Sequence, residues 1–444
     1  MSNATAGSAY RVATAVGPRG LPRLLAGVAS DGAVSLVTHR TAFPAPRRPG
    51  RHAAADLSGI VDEAGLRGRG GGSFPTATKM RAVAGAQGRP IVVVNGAEGE
   101  PASSKDRLLL ARHAHLVIDG ALLAAGALGA DQVVVCIDRA STRTVHAVHE
   151  AITQRASANE RSCAVRLFTV PPRFVAGEES ALVSLLNGGE ARPTLKQPPI
   201  YVRGVDNRPT LVCNVETFGH LAQIVNFGPR WFRELGTAGE PGTMLASISG
   251  DVRRPGVCEV PLGTPLAEVL DLAGARVQRL QAVLVGGYYG TWLAAADALD
   301  ATLSNHSLRR FGAGVGCGAL VALPGSACGI TETARVLAWM AGESAGQCGP
   351  CLNGLAALAG AMRALAIGRA GRATLTDLHS WAGMVERRGA CTFPDGAARL
   401  LRSALTVFAA DVDHHVRHGV CVHFNSPPML RVPAGGPPGP GDWR

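Results

Sequence analysis

The sequence predicts an α/β protein in which a Rossmann-like domain is followed by a small α+β module and a helical bundle. Three observations support this prediction. Apolar, β-branched runs alternate with helical segments over the first half of the chain, as in a parallel sheet with helical crossovers. Short strands then surround a single helix, and the region towards the C-terminus carries apolar side chains at helical spacing.

Length and composition indicate a globular protein. The chain has 444 residues, of which 46% are hydrophobic and 17% charged, enough for about two to four domains with substantial cores. The longest apolar stretch, Leu116 to Leu128, contains Asp119 and is shorter than a membrane span. With no secretory signal at the N-terminus, we expect a cytoplasmic protein, free or peripheral to a membrane complex, without a transmembrane segment of its own. The ten cysteines are then thiols or metal ligands.

The net charge of +11, from 44 Lys and Arg against 33 Asp and Glu, indicates an anionic partner. Nucleic acid ranks last among such partners, because aromatic residues make up only 5% of the chain and are not interleaved with basic runs. Anionic cofactors and an acidic protein such as a ferredoxin are the better candidates.

Changes in composition divide the chain into five predicted parts. These are an N-terminal arm over residues 1–54, the α/β domain over 55–240, the α+β module over 241–325, the helical bundle over 326–424 and a flexible tail, rich in Pro and Gly, over 425–444.

The elements of each part follow from hydrophobic patterning. In the α/β domain, strands are predicted at Ile91–Val94, Gln132–Ile137, Val165–Val170 and from Thr210, with helices at Thr142–Ala156 and Glu178–Leu186. The α+β module, of the β-grasp (ubiquitin-like) type, has predicted strands at Met244–Ile248, Gly256–Val260, Ala282–Gly287 and Ala319–Leu323 around a helix at Pro265–Ala273. A four-helix bundle is predicted from Thr331–Ala341, Leu352–Ile367, Thr374–Arg388 and Gly396–His415.

The glycine-rich run before the first strand, GLRGRGGGSFPTATK over Gly65–Lys79, is a candidate anion-binding loop. Glycines allow consecutive amides to turn towards one phosphate, and Arg67, Arg69 and Lys79 add positive charge. Taken alone, however, such a run is more simply interpreted as a solvated basic loop.

Polar turns follow the strands, where open α/β sheets bind ligands. Glu98 and Glu100 come directly after the first strand and suit either hydrogen bonds to a cofactor or a charged turn that caps the next helix. Gly177–Ser180 reads first as a helix cap, and Asn214–Thr217 forms a similar turn after the fourth strand. Several such turns at one sheet edge together indicate a binding site.

Three cysteines have a spacing that suits metal chemistry. Cys348 and Cys351 form a C-x-x-C pair at the start of the bundle, and Cys391 lies in the loop before its last helix. Thiolates in this pattern fit an iron–sulfur cluster, one ligand short of four. The letters CGPC also fit a dithiol redox pair, and buried structural cysteines are a third interpretation.

Five motifs occur together in the order found in one family. They are GLRGRGGGSFPT with Lys79, NGAEGEP with KDR, GEESAL, NVET, and GQCGPC with Cys391, over about residues 55–420. The set resembles the FMN- and NADH-binding flavoprotein subunit of respiratory complex I and the related subunits of NAD-linked hydrogenases and formate dehydrogenases. The resemblance implies an FMN-binding Rossmann-like domain, a β-grasp module and a bundle that carries a 4Fe-4S cluster.

The resemblance also implies an activity and site residues. Hydride would pass from NADH to FMN, and single electrons would leave through the cluster to a ferredoxin-like protein or small iron–sulfur subunit. The implied catalytic residues are Glu100 and Glu179. The implied cofactor-binding residues are Gly68, Arg69, Gly70, Gly71, Phe74, Lys79, Asn95, Glu98, Gly177, Glu178, Lys196, Asn214 and Thr217, and the implied cluster ligands are Cys348, Cys351 and Cys391.

Several positions depart from the family's pattern. Ala97 replaces an aspartate on the flavin side of the site, which removes one polar contact. Ile200 and Met80 replace aromatic residues, which weakens stacking on adenine. Phe174 and Cys213 replace a tyrosine and an asparagine.

The cluster motif departs at Ala345, where the family has its first cysteine ligand. Three outcomes are open. A fourth ligand comes from Cys328, Cys317 or Ser344, one iron is open or bound by water, or the cluster is absent.

The sequence therefore predicts an enzyme, a diverged NADH dehydrogenase-like flavoprotein oxidoreductase. Two alternatives stay open: a non-catalytic FMN-binding electron-transfer adaptor, and a flavin-linked dithiol reductase that uses Cys348 and Cys351.

Overall fold

The computed structural model describes residues 21–27, 32–45, 53–160, 163–433, 439 and 441–444. These residues form nine strands in two sheets and sixteen α-helices. The structure confirms the predicted order of an α/β domain, an α+β module and a helical bundle.

The N-terminal sheet is parallel and has the spatial order β3-β2-β1-β4. Its strands are β1 (Ile91–Gly96), β2 (Gln132–Asp138), β3 (Ala164–Val170) and β4 (Thr210–Asn214). The first four residues of β1 are buried, as expected of a continuous β-branched run in the middle of a parallel sheet. Asn95 pairs with Asn214 across β1 and β4. The polar ends of these two strands therefore lie side by side at one edge of the sheet.

Eight helices accompany this sheet: α1 (Leu36–Ala42), α2 (Ala53–Ala64), α3 (Thr76–Ala84), α4 (Lys105–Leu128), α5 (Thr142–Ser157), α6 (Glu179–Leu186), α7 (Val215–Phe227) and α8 (Pro229–Arg233). Among the described helices, α4 alone is long and apolar enough to cross a membrane, but 94% of its apolar window is buried inside the protein. It is thus a core helix by burial, and its first residues, Lys105 and Asp106, lie near the carboxyl end of β1.

The second sheet has the order β6-β5-β9-β7-β8, with β5 and β9 parallel and the other pairs antiparallel. Its strands are β5 (Thr243–Gly250), β6 (Gly256–Pro261), β7 (Leu280–Val285), β8 (Thr291–Ala294) and β9 (Ala319–Pro324), with helices α9 (Leu266–Leu272), α10 (Ala295–Asp300) and α11 (Asn305–Leu308). The short strand β8 has no counterpart among the predicted elements, because four residues are too few for a periodic signal.

The C-terminal bundle contains α12 (Gly329–Gly342), α13 (Leu355–Ala366), α14 (Arg372–Val385), α15 (Phe393–Val407) and α16 (Ala409–His418). The region predicted as one helix, Gly396–His415, is two helices that meet at Phe408, whose ring is buried against Trp292. The helix predicted from Leu352 begins as a π-helical turn over Pro350–Gly354, next to the C-x-x-C pair.

The C-terminal tail differs from the predicted flexible segment. Leu430 and Trp443 are 1% and 0% exposed. The Glu332 carboxylate accepts hydrogen bonds from the backbone N–H groups of Met429 and Leu430, at 3.2 and 2.9 Å. Two buried apolar anchors and one buried carboxylate thus fix a segment whose Pro and Gly content suggested disorder; residues 434–438 and 440 lie outside the described residues.

The described parts of the predicted N-terminal arm also pack closely on the α/β domain, while residues 1–20, 28–31 and 46–52 lie outside the described residues. Asp119 of α4 is the main anchor. Its carboxylate lies 2.7 Å from His39 Nε2, 2.7 Å from Arg40 and 2.7 Å from Arg155 of α5. Burial by itself would raise the pKa of Asp119, but these three partners hold it well below its ordinary value.

Replacing Asp119 with Asn is therefore expected to destabilise the α/β domain. The change leaves buried Arg155 with only the partly exposed Glu160, at 3.1 Å, as its charge partner, which costs about 3 kcal/mol in the free energy of unfolding. Asp131→Asn is the matched control, because Asp131 is 44% exposed and its pairs with Arg89 and Arg208 contribute about 1 kcal/mol or less. Denaturant unfolding measures both variants, and equal losses would contradict the assignment of Asp119 as an anchor.

Candidate functional site

A cavity of about 550 Å³ lies at the carboxyl end of β1 and β4 and receives side chains from all three parts of the chain. The α/β domain contributes most of the wall, the β-grasp module contributes its turn after β7, and the bundle contributes the start of α15 and the loop before it. The lining residues include Gly70, Gly71, Asn95, Glu98, Glu100, Gly177, Glu178, Asn214, Tyr289, Cys317, Cys391 and Arg399. A ligand in this cavity would contact all three units.

The glycine-rich loop lines the cavity with backbone. Gly71 has φ +113°, a conformation that side-chain-bearing residues rarely adopt. A Cβ on Gly70 would lie 3.2 Å from the Cβ of Asn214, so glycine allows the loop to approach the end of β4. The loop thus presents uncovered backbone to the cavity, as a phosphate- or flavin-binding loop requires.

Asn95 and Gly177 connect the end of β1 to the turn before α6. The Asn95 amide donates to the Gly177 carbonyl at 2.8 Å. A Cβ on Gly177 would lie 2.5 Å from the Ala97 carbonyl oxygen, so no larger residue fits there. At Ala97 the wall presents a methyl group instead of the carboxylate expected from the family's pattern.

Glu98 has the capping role that the sequence left open, and it also lies in the cavity wall. Its carboxylate accepts hydrogen bonds from Ser103 Oγ at 2.5 Å and from the backbone N–H groups of Asp106 and Arg107 at 3.2 and 3.0 Å. It therefore caps the first turn of α4 while it also lines the cavity. Glu178 likewise caps α6 through the N–H groups of Ser180 and Ala181 and faces the cavity.

Glu100 joins the α/β domain to the β-grasp module. It accepts hydrogen bonds from the N–H groups of Ala102 and Tyr288, at 3.0 and 2.9 Å. The side chain is buried in the cavity wall, and this burial raises the pKa of Glu100 to about 7. A carboxyl group beside the cavity thus changes its charge near neutral pH.

A buried charge network lies beneath the cavity. Lys105 Nζ is 2.8 Å from Asp106 Oδ1, 2.8 Å from Glu216 Oε2 and 3.2 Å from Asn214 Oδ1. Glu216 also accepts the N–H of Leu245 in β5 at 2.8 Å. The network therefore joins β4, α4 and α7 to the β-grasp sheet.

Neighbouring charges keep Lys105 and Glu216 ionised despite their burial. Burial by itself would lower the pKa of Lys105, but Asp106 and Glu216 more than offset it, so the pKa is raised. Burial would raise the pKa of Glu216, but Lys105 and His220 hold it at about 2. Lys105 and Glu216 are thus a buried ion pair at neutral pH.

Arg69 and Thr217 do not occupy the positions expected of cofactor-binding residues. The buried Arg69 guanidinium turns away from the cavity and donates to the carbonyls of Thr243, Arg67 and Pro241 at 3.2–3.3 Å. Thr217 Oγ1 accepts the Arg69 backbone N–H at 3.0 Å. The Arg69 guanidinium therefore makes a structural contact between the loop and the β-grasp module. Gly68 serves the same loop, donating its N–H to the Phe74 carbonyl at 2.9 Å.

The other predicted residues lie outside the cavity lining. Lys79 pairs with Glu179 at 2.5 Å, and its Nζ also donates to the Val212 carbonyl at 2.8 Å. Lys196 is 52% exposed and pairs with Glu178 at 2.5 Å, which places it next to a lining residue. Phe74 is 55% exposed.

The structure shows the surroundings of three residues that depart from the family's pattern. Met80, at 0% exposure, belongs to the core of the α/β domain, so the side chain at this position is not available to stack on an adenine. Ile200 is partly buried against the second core of that domain. Cys213 lies beside Lys79, and burial raises the pKa of its thiol to about 11.

The predicted cluster cysteines lie next to the cavity. Cys391 and Thr392 are part of its wall, and Cys391 lies near Cys348 and Glu178. Cys351 is 6% exposed and lies near both Cys348 and Cys391. The structure thus brings the three thiols together, with one of them at the cavity.

The fourth cluster position holds no thiol. Ala345 is 6% exposed, and Ser344 Oγ donates to the Cys351 carbonyl at 3.1 Å. Cys317 lines the cavity next to Gly286, and Cys328 lies beside His415. Of the three candidates for a fourth ligand, Ser344 is therefore the one next to a cluster cysteine.

An aromatic group that the sequence did not reveal lies where the cavity meets the bundle. Phe174 has its ring centroid 5.1 Å from that of Phe393, 5.7 Å from that of Trp339 and 6.1 Å from that of Tyr289. The Tyr289 hydroxyl donates to the Thr392 carbonyl, next to Cys391. Because these residues come from three separate units, no local pattern could have predicted the group.

The fold and site define a flavin-binding α/β domain joined through a β-grasp module to a thiol-bearing iron–sulfur bundle. Three family models match in this order: the Nuo51 FMN-binding domain over residues 61–223, the SLBB domain over 245–281 and the NADH-ubiquinone oxidoreductase-F iron–sulfur binding region over 331–415. The last region includes Cys348, Cys351 and Cys391.

Comparison with individual proteins identifies the family. The chain is 31% identical over 388 residues to the F 2 subunit of NADH-quinone oxidoreductase of Rhizobium meliloti (strain 1021), covering 84% of this chain and 91% of that protein. It is 31% identical over 378 residues to the F subunit of NADH-quinone oxidoreductase of Streptomyces coelicolor, covering 82% and 84%. The chain therefore belongs to the family of NADH-quinone oxidoreductase F subunits.

A solved structure shares the fold. An NAD⁺-reducing [NiFe]-hydrogenase in the air-oxidized state matches with a TM-score of 0.76 and 31% identity over 87% of this chain. This chain spans 65% of the length of that hydrogenase chain. Together the comparisons confirm the predicted family, fold class, enzyme class of oxidoreductase, and cofactor classes of FMN and an iron–sulfur cluster.

Replacing Lys105 with Met tests the buried network. The variant removes the cation that lies 2.8 Å from the carboxylates of both Asp106 and Glu216, and leaves Glu216 only the Arg69 guanidinium at 4.0 Å, so the free energy of unfolding is expected to fall by about 3–5 kcal/mol. Arg81→Met is the control, because its pair with Asp62 is 49% and 58% exposed and is expected to contribute about 1 kcal/mol or less. Denaturant unfolding of the protein without added cofactor compares the two, and a Lys105→Met loss no larger than the control's would contradict the network's role.

Proposed function

We propose that this chain oxidises NADH with FMN bound in the cavity and delivers single electrons through an iron–sulfur cluster at Cys348, Cys351 and Cys391. The observation that carries the proposal is the position of Cys391. This residue is one of the three neighbouring cysteines, and it also lies in the cavity wall. A donor bound in the cavity and a cluster on the thiols would then be neighbours, without an intervening domain.

The cavity suits FMN in its chemistry and its backbone geometry. We assign the flavin and its phosphate to Gly70, Gly71, Asn95, Glu98, Gly177, Glu178 and Asn214, all of which line the cavity. FMN when bound supplies the exchange between two-electron and one-electron chemistry, and the protein supplies orientation and electrostatics. The glycines allow close backbone approach, and the capped helices α4 and α6 hold the polar side chains in place.

We assign the binding of the nicotinamide dinucleotide to Glu100 and Lys196. Glu100 provides a carboxylate in the wall, and Lys196 is a long, flexible cation paired with the lining residue Glu178. Lys196 is suited to a dinucleotide phosphate, because its side chain is half exposed and can exchange Glu178 for a ligand anion.

The thiol group fits an iron–sulfur cluster that has three cysteine ligands and one ligand of another kind. We assign the fourth position to the Ser344 hydroxyl or to solvent, since Ala345 offers no donor. A cluster attached in this way would lose one iron more readily than one held by four cysteines.

The two alternative functions use the same features differently. An electron-transfer adaptor would bind FMN but leave NADH unreacted, and the substitutions at Ala97 and Ile200 favour it. A dithiol reductase would use Cys348 and Cys351, but a third thiol, Cys391, joins that pair in the structure. The three-thiol arrangement favours the cluster.

The partner is proposed to be a small iron–sulfur subunit or a ferredoxin-like protein. The relatives are named as F subunits of NADH-quinone oxidoreductase, and a subunit of such an enzyme needs a neighbour that receives its electrons. The net charge of +11 suits an acidic protein. We propose a cytoplasmic location, free or at the periphery of a membrane complex.

Steady-state kinetics of Cys348→Ala distinguish the three functions. NADH-driven reduction of hexacyanoferrate(III), which can accept electrons at the flavin, is expected to stay within about twofold of wild type, while reduction of a ferredoxin falls at least about tenfold. Cys163→Ala is the control, because this thiol lies by the Ala130 carbonyl in the α/β domain. Equal loss with both acceptors would favour the dithiol reductase, and no NADH oxidation by wild type would favour the adaptor.

Glu100 is expected to give the flavin-reduction step a pH dependence. Its raised pKa of about 7 means that the carboxylate becomes charged between about pH 6 and 8. A negative charge in the wall favours the nicotinamide as it turns cationic, so the rate should rise about three- to tenfold over this interval.

Anaerobic stopped-flow reduction by NADH measures this effect. The inflection near pH 7 should be missing in Glu100→Gln and kept in Glu190→Gln, whose carboxylate pairs with Arg192 at the surface. An unchanged inflection in Glu100→Gln would assign the titration to another group.

A further inference from the structure

A second group of metal-binding side chains lies in the bundle and shares no residue with the three cluster cysteines. Cys328, His415 and Cys421 each offer one ligand atom, and the three atoms lie within 4.8 Å of one another. Cys328 Sγ and His415 Nε2 are 3.5 Å apart. Two thiols and one imidazole at this spacing match the donors and the size of a single-ion site.

The imidazole of His415 is oriented as a ligand. The side chain is 0% exposed, and its Nδ1 lies 3.1 Å from the Leu365 carbonyl oxygen. Because a carbonyl only accepts hydrogen bonds, Nδ1 carries a proton, and Nε2 is the ring nitrogen that faces Cys328. Metal-ligating histidines are commonly held in this way, by a carbonyl or carboxylate on the opposite ring nitrogen.

The two thiols lie where one ion can reach both of them. Cys328 is the N-cap of α12, and its sulfur accepts the Thr331 N–H at 3.4 Å, so a metal-bound sulfur there would keep a hydrogen bond from the first turn of the helix. Cys328 is 3% exposed, whereas Cys421 is partly exposed. The site therefore has a closed inner side and an outer side through which an ion can enter.

The backbone brings the third ligand back to the other two. Gly419 ends α16 with φ +84°, and a Cβ on Gly368 would lie 2.7 Å from the Gly419 Cα. The turn after α16 thus packs directly on the turn after α13. This close approach lets the chain reverse within a few residues and return Cys421 to His415.

We propose that Cys328, His415 and Cys421 bind one zinc ion that fastens the segment after α16 to the start of α12. Two thiolates and an imidazole are ligands typical of tetrahedral zinc, and the fourth position falls to water or a neighbouring donor. Binding replaces the two S–H protons by metal–sulfur bonds and releases both protons to solvent. The ion stabilises the region from which the C-terminal segment continues to Leu430.

This proposal is independent of the flavin chemistry, because its ligands lie outside the cavity lining. It assigns zinc because this ion supplies a fixed link without redox change. The competing interpretation is a buried thiol that hydrogen-bonds to an imidazole, with no ion.

Zinc analysis of the purified full chain tests the proposal. We expect about one zinc per chain in wild type and in Cys348→Ala, and below about 0.2 in both Cys421→Ser and His415→Gln. Cys421 is partly exposed, so its serine variant should keep the fold, which circular dichroism checks. Cys258→Ser, which changes a buried cysteine of the β-grasp sheet, is the control for loss of a thiol and should retain the zinc.

Three results would overturn the proposal. The first is zinc retained in both ligand variants. The second is wild-type protein without zinc that takes up none when titrated with zinc chloride at micromolar concentrations. The third is a Cys328–Cys421 disulfide in the protein as isolated, found by alkylation and mass spectrometry.

Discussion

The buried ion pair between Lys105 and Glu216 is the interaction on which the arrangement of the site depends. Lys105 begins α4, near the carboxyl end of β1, and Glu216 lies in the first turn of α7, after the end of β4. Neither charge is exposed, so both depend on partners inside the protein, and each lies 2.8 Å from the other. Through the Leu245 N–H, the same pair holds the β-grasp sheet against the α/β domain. The cavity exists because these elements are fixed relative to one another.

The α/β domain, the β-grasp module and the bundle all contribute to the cavity wall. The proposed function depends on this arrangement. The α/β domain supplies the glycine loop and the capped turns, and the β-grasp module supplies the backbone N–H that holds Glu100. The bundle supplies Cys391, the point at which the thiol group reaches the cavity wall. Electron flow from a flavin to a cluster would need no movement of domains in this arrangement. Ala345 is not part of the cavity lining, so its substitution leaves Cys391 in this shared wall.

Much of this organisation could be predicted from the sequence, because local patterns determine it. The β-branched runs at β1, β2 and β3 predicted those strands to within a few residues, and Asn95, Glu98 and Asn214 followed from their places at strand ends. Long-range contacts could not be predicted in this way. Arg69 was expected at a phosphate, but its guanidinium is bound by carbonyls from residues about 170 positions away. The contacts of Trp443, which anchors a tail whose composition suggested disorder, could not be predicted either. Nor could the contact between Cys328 and His415.

The central claim is that electrons entering at the cavity leave through the three cysteines. An anaerobic titration with NADH, followed by visible absorption, tests it most directly. We predict that the flavin band and the broad iron–sulfur absorption are both bleached by about 1.5 NADH per chain, which supplies the two electrons that FMN accepts and the one that the cluster accepts, and that Cys348→Ala bleaches only the flavin, with about one NADH. Protein that contains stoichiometric FMN and is bleached by NADH, yet contains no iron or acid-labile sulfide after anaerobic reconstitution, would contradict the account.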